Sequence, residues 1–232
     1  MAQAGTAEKI WYLQRVNFFD GLSKEEMMGL ASMTQEKNFR KKEIIYLPGQ
    51  PGNHVYLLKK GVVKISKITA DGHELTLALL KPGEIFGELE AMDQSRRDAQ
   101  AEAHSDTMIC VLGRDDFLRM IQSKPQLGIR LSKLIGWRRR VIENRLENLL
   151  FRTTPQKLAR LLLDLAEQFG KKTEKGIEIS ISLTHTNLAN LIGSARATLT
   201  ETLNDFRRQG WVEIKGKSIT VTKPDVLTSL SG

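Results

Sequence analysis

Between residues 42 and 113 short apolar runs alternate with glycine and proline punctuation. EIIYL (43–47), HVYLLKKGVVKIS (54–66), HELTLALL (73–80) and AEAHSDTMICVL (101–112) are divided by PGQPGN, KKG, DGH and KPG. Runs rich in β-branched and aromatic residues, bounded by turn formers, predict strands, and many short strands at regular spacing predict an antiparallel sandwich or barrel. Upstream, SKEEMMGLA predicts a small helix, with Ser23 as N-cap and Glu26 three residues on completing a capping box.

After Gly113 the period changes. LGRDDFLRMIQSKPQLGIRLSKLIGWRRRVIENRLENLLF reads as helical with an interruption at Pro125. Beyond that proline Ile135, Ile142 and Leu149 recur every seven residues, and Leu131 and Leu146 fall between them at helical offsets, so an apolar stripe runs along a long helix. Such a stripe either packs on the β domain or seals a dimer. Leu134 and Val141 supply a second apolar face, which favours a dimer interface built from Leu131, Ile135, Ile142, Leu146 and Leu149.

A new helix starts in FRTTPQKLARLLLDLAEQFG, where Thr154 is placed to cap it and Pro155 suits its first turn. GKKTEKG reads as a charged loop, and IEISISL as a strand with Ile177, Ile179, Ile181 and Leu183 on one face. In LTHTNLANLIGSARATLTETLNDFRRQG, Thr184 caps a short helix through Leu191 and Gly193 makes a tight turn. Ser194 then caps a second helix whose core face is Leu199, Leu203 and Phe206. This is a helix-turn-helix pattern, and WVEIKGKSITV adds a two-stranded wing that turns at Lys215, Gly216 and Lys217. The free face of the second helix carries Arg196, Ala197, Thr200 and Glu201. A guanidinium there can donate two hydrogen bonds to guanine O6 and N7 in a major groove. The alternative is a helical hairpin whose polar residues face water; the wing, Ala189 at the helix crossing and the basic balance of the chain argue for DNA.

That balance is a net charge of +8 on 232 residues, which favours a polyanionic partner, nucleic acid or an anionic membrane surface. The N-terminal MAQAGTAEKIWYLQ lacks a signal-peptide pattern and no apolar run nears the roughly 18 residues needed to span a bilayer, so a cytoplasmic protein without a membrane partner is expected. The single cysteine, Cys110, sits in the apolar run TMICVLG and reads as packing; alone it makes no internal disulfide and holds no iron–sulfur cluster. No GxxxxGK[ST], HExxH or GxSxG motif is present, and an enzyme is not expected.

GNHVYLLKKGVVKI, LKPGEIFGELEAM and LIGSARATLTETLNDFRRQGWVEIKGKSITV, in this order, resemble the cyclic-AMP receptor/FNR (CRP/FNR) family of transcription regulators over almost the whole chain. The resemblance implies an α+β fold: an N-terminal cyclic-nucleotide-binding-like β-roll (a double-stranded jelly roll, 1–122), a dimerisation helix (123–152) and a winged helix-turn-helix (153–232). It implies a sequence-specific DNA-binding homodimer on a palindromic site, with RNA polymerase as a further partner. The family's base-reading positions fall on Arg196, Ala197 and Glu201. Many members have a glutamate where Ala197 stands and an arginine where Glu201 stands, so the half-site is expected to keep the guanine read by Arg196 and to differ beside it from TGTGA. Thr184, His185, Thr186, Ser194, Thr198 and Lys217 are expected phosphate contacts, with Thr200 also facing the DNA.

For the sensor, the resemblance assigns Phe86, Gly87, Glu88, Leu89 and Arg97 to a phosphate-binding cassette, with Glu88 on the ribose hydroxyl and Arg97 on the cyclic phosphate. Asp98 replaces the family's hydroxyl, and Ile142 and Glu143 stand where the cyclic-AMP receptor uses hydroxyls for adenine. A cyclic nucleotide, another small anion received by Arg96, Arg97, Arg138, Arg139 and Arg140, or no effector at all remain open, as does an Arg97–Asp98 ion pair in a vestigial pocket. A cyclic-AMP-dependent activator is one alternative, and a cyclic-nucleotide regulatory subunit that does not bind DNA is another. Haem and metal are not expected: Leu89 stands at the family's haem-histidine position, and His54, His73, His104 and His185 lack metal-ligand spacing.

Overall fold

The computed structural model describes residues 17–231. The chain divides into two compact units, one running to Arg138 and one beginning at Arg139, so the division falls inside the long helix expected over residues 123–152.

In the first unit a single 3-10 turn (Asn17–Phe19) precedes helix α1 (Lys24–Met33). Strands β1 (Thr34–Phe39), β2 (Ile44–Tyr46), β3 (His54–Lys60), β4 (Val63–Ile68), β5 (Glu74–Leu80) and β6 (Ile85–Phe86) follow. Helix α2 (Glu88–Asp93), strands β7 (Gln100–Ala103) and β8 (Thr107–Gly113), helix α3 (Arg114–Ser123) and the start of α4 (Pro125–Phe151) complete it. The strands pair antiparallel into two sheets, ordered β1-β8-β3-β6 and β2-β7-β4-β5, as expected of a β-roll. The capping box of α1 forms as read: Glu26 N–H donates to Ser23 Oγ, and Ser23 N–H donates to the Glu26 carboxylate at 2.8 Å.

β1 lies outside the region where strands were expected. TQEKNF has no apolar alternation; pairing along its whole length with β8 holds it, aided by the 2.7 Å ion pair from Glu36 to Lys59. Between the sheets Tyr46, Tyr56, Leu58, Phe86, Ile109 and Val111 form one core. A second, under the helices, joins Phe19, Leu57, Cys110, Phe117, Leu127 and Leu131.

The break at Pro125 is present, because α3 ends at Ser123 and proline opens α4. One stripe residue is corrected: Leu131 is 2% exposed in the core of its own chain and has no surface to offer a partner. Ile135 packs against the same core, whereas Ile142 and Leu146 are 61% and 56% exposed. The Leu149 side chain lies outside the described residues. Among the described residues no helix is long and apolar enough to cross a membrane.

The second unit contains the rest of α4, then α5 (Thr154–Phe169), β9 (Gly170–Thr173), β10 (Gly176–Ile179), α6 (His185–Ile192) and α7 (Arg196–Arg208). Strands β11 (Val212–Lys215) and β12 (Ser218–Val221) and helix α8 (Pro224–Ser231) end it, with sheet order β11-β12-β10-β9. Leu158, Leu162, Leu165 and Phe169 on α5 bury its helical stripe. Its cap is Thr153 rather than Thr154, with Gln156 closing the capping box. The expected charged loop is the hairpin β9–β10. The strand read through Leu183 stops at Ile179, because Ser180 gives both its N–H (2.8 Å) and its hydroxyl (2.6 Å) to the Phe169 carbonyl and turns the chain off the sheet.

Candidate nucleic-acid interface and sensor pocket

The helix-turn-helix is built by local chemistry. Thr184 caps α6: Asn187 N–H donates to its hydroxyl (3.1 Å) while Thr184 N–H donates to Asn187 Oδ1 (3.0 Å), fixing the start of the helix. Gly193 ends it at φ 60°, the left-handed conformation that a side chain disfavours, and its N–H and that of Ser194 both donate to the Ala189 carbonyl. Ala195, not Ser194, is the N-cap of α7 and makes no side-chain cap bond; the Ser194 hydroxyl donates to the Ala195 carbonyl at 3.4 Å. The sequence expectation was one residue early.

Leu199, Leu203 and Phe206 are buried as expected, joined by Thr202, and this sets the opposite face. Arg196, Ala197, Thr198 and Glu201 are exposed along the first two turns. Thr184 and Thr186 are exposed at the start of α6, and Lys217 is exposed at the wing turn beside Gly216. Thr200 departs from the expectation. Its hydroxyl is engaged inside the unit, within 2.8 Å of both the Arg196 carbonyl and His185 Nδ1. Sequence spacing could not reveal that contact, which joins two helices across a turn. In the wing, Glu213 is held below the usual carboxylate range by hydrogen bonds from Lys175 and Lys215, both at 3.3 Å.

In the first unit Gly87 sits at φ 74° as the N-cap of α2, where a Cβ would come within 2.7 Å of Arg97 Nη1 and 3.0 Å of the Tyr56 ring. That close approach lets Arg97, 2% exposed, reach inward. Nη1 donates to the Gly87 carbonyl at 2.8 Å and to the Glu90 carboxylate at 2.7 Å, and Nη2 donates to the His54 carbonyl at 2.5 Å. The guanidinium lies 4.5 Å from the Tyr46 ring centre and 5.5 Å from that of Tyr56, within cation–π range. Tyr56 in turn stacks on Phe86 at 5.1 Å. Burial raises both tyrosine hydroxyls above the ordinary tyrosine range, Tyr46 well above it, against the opposing pull of Arg97. His54 is shifted down, first by burial and then by the charges of Lys37 and Arg97.

Glu88 is also spoken for: 1% exposed, it accepts from Arg138 Nη1 at 2.5 Å, while Nη2 of the same arginine donates to the Ile85 carbonyl at 2.5 Å. The proposed Arg97–Asp98 pair does not form. Asp98 points to solvent and pairs with Lys67 at 3.0 Å, because Glu90 already neutralises Arg97. Leu89 is exposed on α2, and Ile142 is exposed in the second unit. Of the five N–H groups of the Arg97 guanidinium, three have the partners just named, and the buried Nε has none. A cyclic phosphate arriving here would meet Arg97 paired with Glu90, and a ribose would meet Glu88 paired with Arg138. Glu90 escaped the sequence reading because nothing in its position two residues after Glu88 marks it as the partner of Arg97. Among the described residues no group of three or more histidine, cysteine, aspartate or glutamate side chains is placed to hold a metal ion.

Residues 36–124 match the model of the cyclic nucleotide-binding domain, and residues 156–230 match that of the Crp-like helix-turn-helix domain. The global nitrogen regulator of Nostoc sp. is 32% identical over 83% of this chain and 87% of its own length. The CRP-like cAMP-activated global transcriptional regulator of Mycobacterium tuberculosis is 29% identical over 93% of this chain and 96% of its own. Among solved structures, a variant of CooA from Carboxydothermus hydrogenoformans superposes with a TM-score of 0.76 at 25% identity, covering 95% of both chains. The first matched region holds the cassette around Gly87 and Arg97 and the second holds the reader helix and wing, and the chain belongs to the CRP/FNR family of DNA-binding transcription regulators.

Proposed function

We propose that this regulator acts in the cytoplasm as a homodimer on a palindromic DNA site. The dimer presents two copies of α7 to successive major grooves about 34 Å apart. The observation that carries the reading is the bare row Arg196, Ala197, Thr198 and Glu201 on a helix whose opposite face is fully buried. Arg196 reads a guanine, Ala197 and Glu201 set the neighbouring preference, and Thr186, Ser194 and Lys217 hold phosphates, while Thr184 gives both its N–H and its hydroxyl to Asn187 Oδ1. The exposed Ile142 and Leu146 on α4 supply the dimer seam, with Leu131 withdrawn from it and Ile135 at its margin. RNA polymerase is the further protein partner that this role requires.

The dimer binds its site without a cyclic nucleotide. Supporting this are the ion pairs of Arg97 with Glu90 and of Glu88 with Arg138, which a bound nucleotide would have to displace. Binding-site selection from a random duplex pool, run with the protein alone and again with cyclic AMP, tests both parts. A sharp palindrome from the ligand-free run is expected. Enrichment only with cyclic AMP would instead make the chain a cyclic-AMP-dependent regulator, like the M. tuberculosis relative by its name. Failure to enrich in both runs would count against duplex reading itself.

A further inference from the structure

The first turn of α7 carries the base-reading arginine, yet its N-cap is an alanine that offers no side-chain bond. The first turn of a helix has orphan N–H groups, and an uncapped one frays most readily. What braces it comes from α6. The Thr200 hydroxyl lies 2.8 Å from the Arg196 carbonyl on one side and 2.8 Å from His185 Nδ1 on the other. His185 follows Thr184, the residue fixed by the α6 capping box.

Counting protons settles the direction of this chain of contacts. Two polar contacts at hydrogen-bonding distance need two protons, and threonine owns one. The Arg196 carbonyl has none to give, so the threonine proton lies on that side and Nδ1 must carry the other. Neutral His185 is therefore the Nδ1–H form, and its Nε2 is a bare acceptor, the wrong sign for a phosphate oxygen.

We infer that His185 is a positioning residue for DNA reading: through Thr200 it ties the anchored start of α6 to the Arg196 turn of α7 and sets the aim of that arginine, rather than contacting phosphate as the sequence implied. The inference rests on the DNA-reading role proposed above. It makes base selectivity depend on two side chains that touch no base.

The experiment uses the full-length protein, the selected palindrome and a random duplex of equal length. His185→Ala and Thr200→Val are each expected to lose about 5- to 20-fold on the palindrome and less than about twofold on random DNA, and the double variant should be no weaker than either single one. His185→Asn keeps a donor at the δ position but has nothing at ε, and should bind the palindrome within about twofold of wild type. A loss for His185→Asn as large as for His185→Ala, equal on both duplexes, would make the residue a phosphate contact and overturn the inference; so would additive losses. Nitrogen-15 spectra of the free protein, which has four histidines, report the tautomer without DNA, with His185→Ala assigning the signal. A protonated Nε2 on neutral His185 would overturn the inference whatever the DNA-binding results. Absence of any selected palindrome would fail the DNA reading while leaving the tautomer result to judge the pair.

Discussion

The sensor cassette and the reader helix both carry arginines, and they treat them in opposite ways. Arg97 is buried, with a carboxylate, two carbonyls and two aromatic faces around it; Arg196 stands exposed on an uncapped first turn. A buried charge must be paired where it lies, since leaving it alone costs several kcal/mol, whereas an exposed one keeps its hydration until a partner replaces it. The first is engaged within its own unit. The second is open to a polyanion, and the chain's excess of positive charge supports that encounter.

Breaking the first region should have the largest effect. Arg97→Ala strands the Glu90 carboxylate and two carbonyls, and is expected to cost about 3–5 kcal/mol in urea unfolding of the full chain. A cost below about 1 kcal/mol would mean that the pair is solvated and the pocket open. Next is Leu146→Asp, which places a charge in the proposed seam. It should raise the dimer dissociation constant about 100-fold, close to 3 kcal/mol, by sedimentation, with an unchanged melting profile of the monomer.

Arg196→Ala should cost about 1–3 kcal/mol on the selected palindrome and relax one base pair. Lys217→Ala, by contrast, should weaken all duplexes alike and lower the salt slope by about 1. Equal losses on palindrome and random DNA for Arg196→Ala would reduce that arginine to a phosphate contact.

The smallest effect also lies in the first region. Burial holds the Glu84 carboxyl above the usual carboxylate range, against the pull of a hydrogen bond from Lys81 N–H and the charge of Arg138. A raised folded-state pKa means stability that is fully present below the unfolded pKa and lost as pH rises through the folded one. Glu84→Gln, which resembles the protonated form, should therefore unfold at slightly higher urea than wild type at pH 7, by less than about 1 kcal/mol, and the difference should fade toward about pH 4.

Periodicity revealed the parts of this fold that bury one regular face. The α7 core at Leu199, Leu203 and Phe206 was legible because burial imposes the spacing, whereas the strands around Tyr56 and Val111, buried on both faces, were legible as apolar runs bounded by turn formers. β1 was not, since its residues are polar and its register comes from β8, distant in sequence. α8 was missed as well; its eight residues are too few for a helical period to stand out, although Pro224 and Asp225 mark its start. Side-chain partners were the least legible. Asp98 adjoins Arg97 in the chain, but the arginine turns to Glu90 because the left-handed Gly87 admits it there. Leu131 keeps the period of the stripe yet faces its own core, because period alone does not say which neighbour a face meets.

The two halves of α4 differ in what they need from a second chain: Leu127 and Leu131 are sheathed by their own subunit, while Ile142 and Leu146 are bare. If the proposed seam is the dimer contact, assembly would be an equilibrium separate from folding and governed by mass action. Below the dissociation constant, the amount of paired regulator rises with the square of the total chain, so a modest change in synthesis becomes a steeper change in operator occupancy. Dosage would then act as the input signal, with no small molecule needed to sharpen the response.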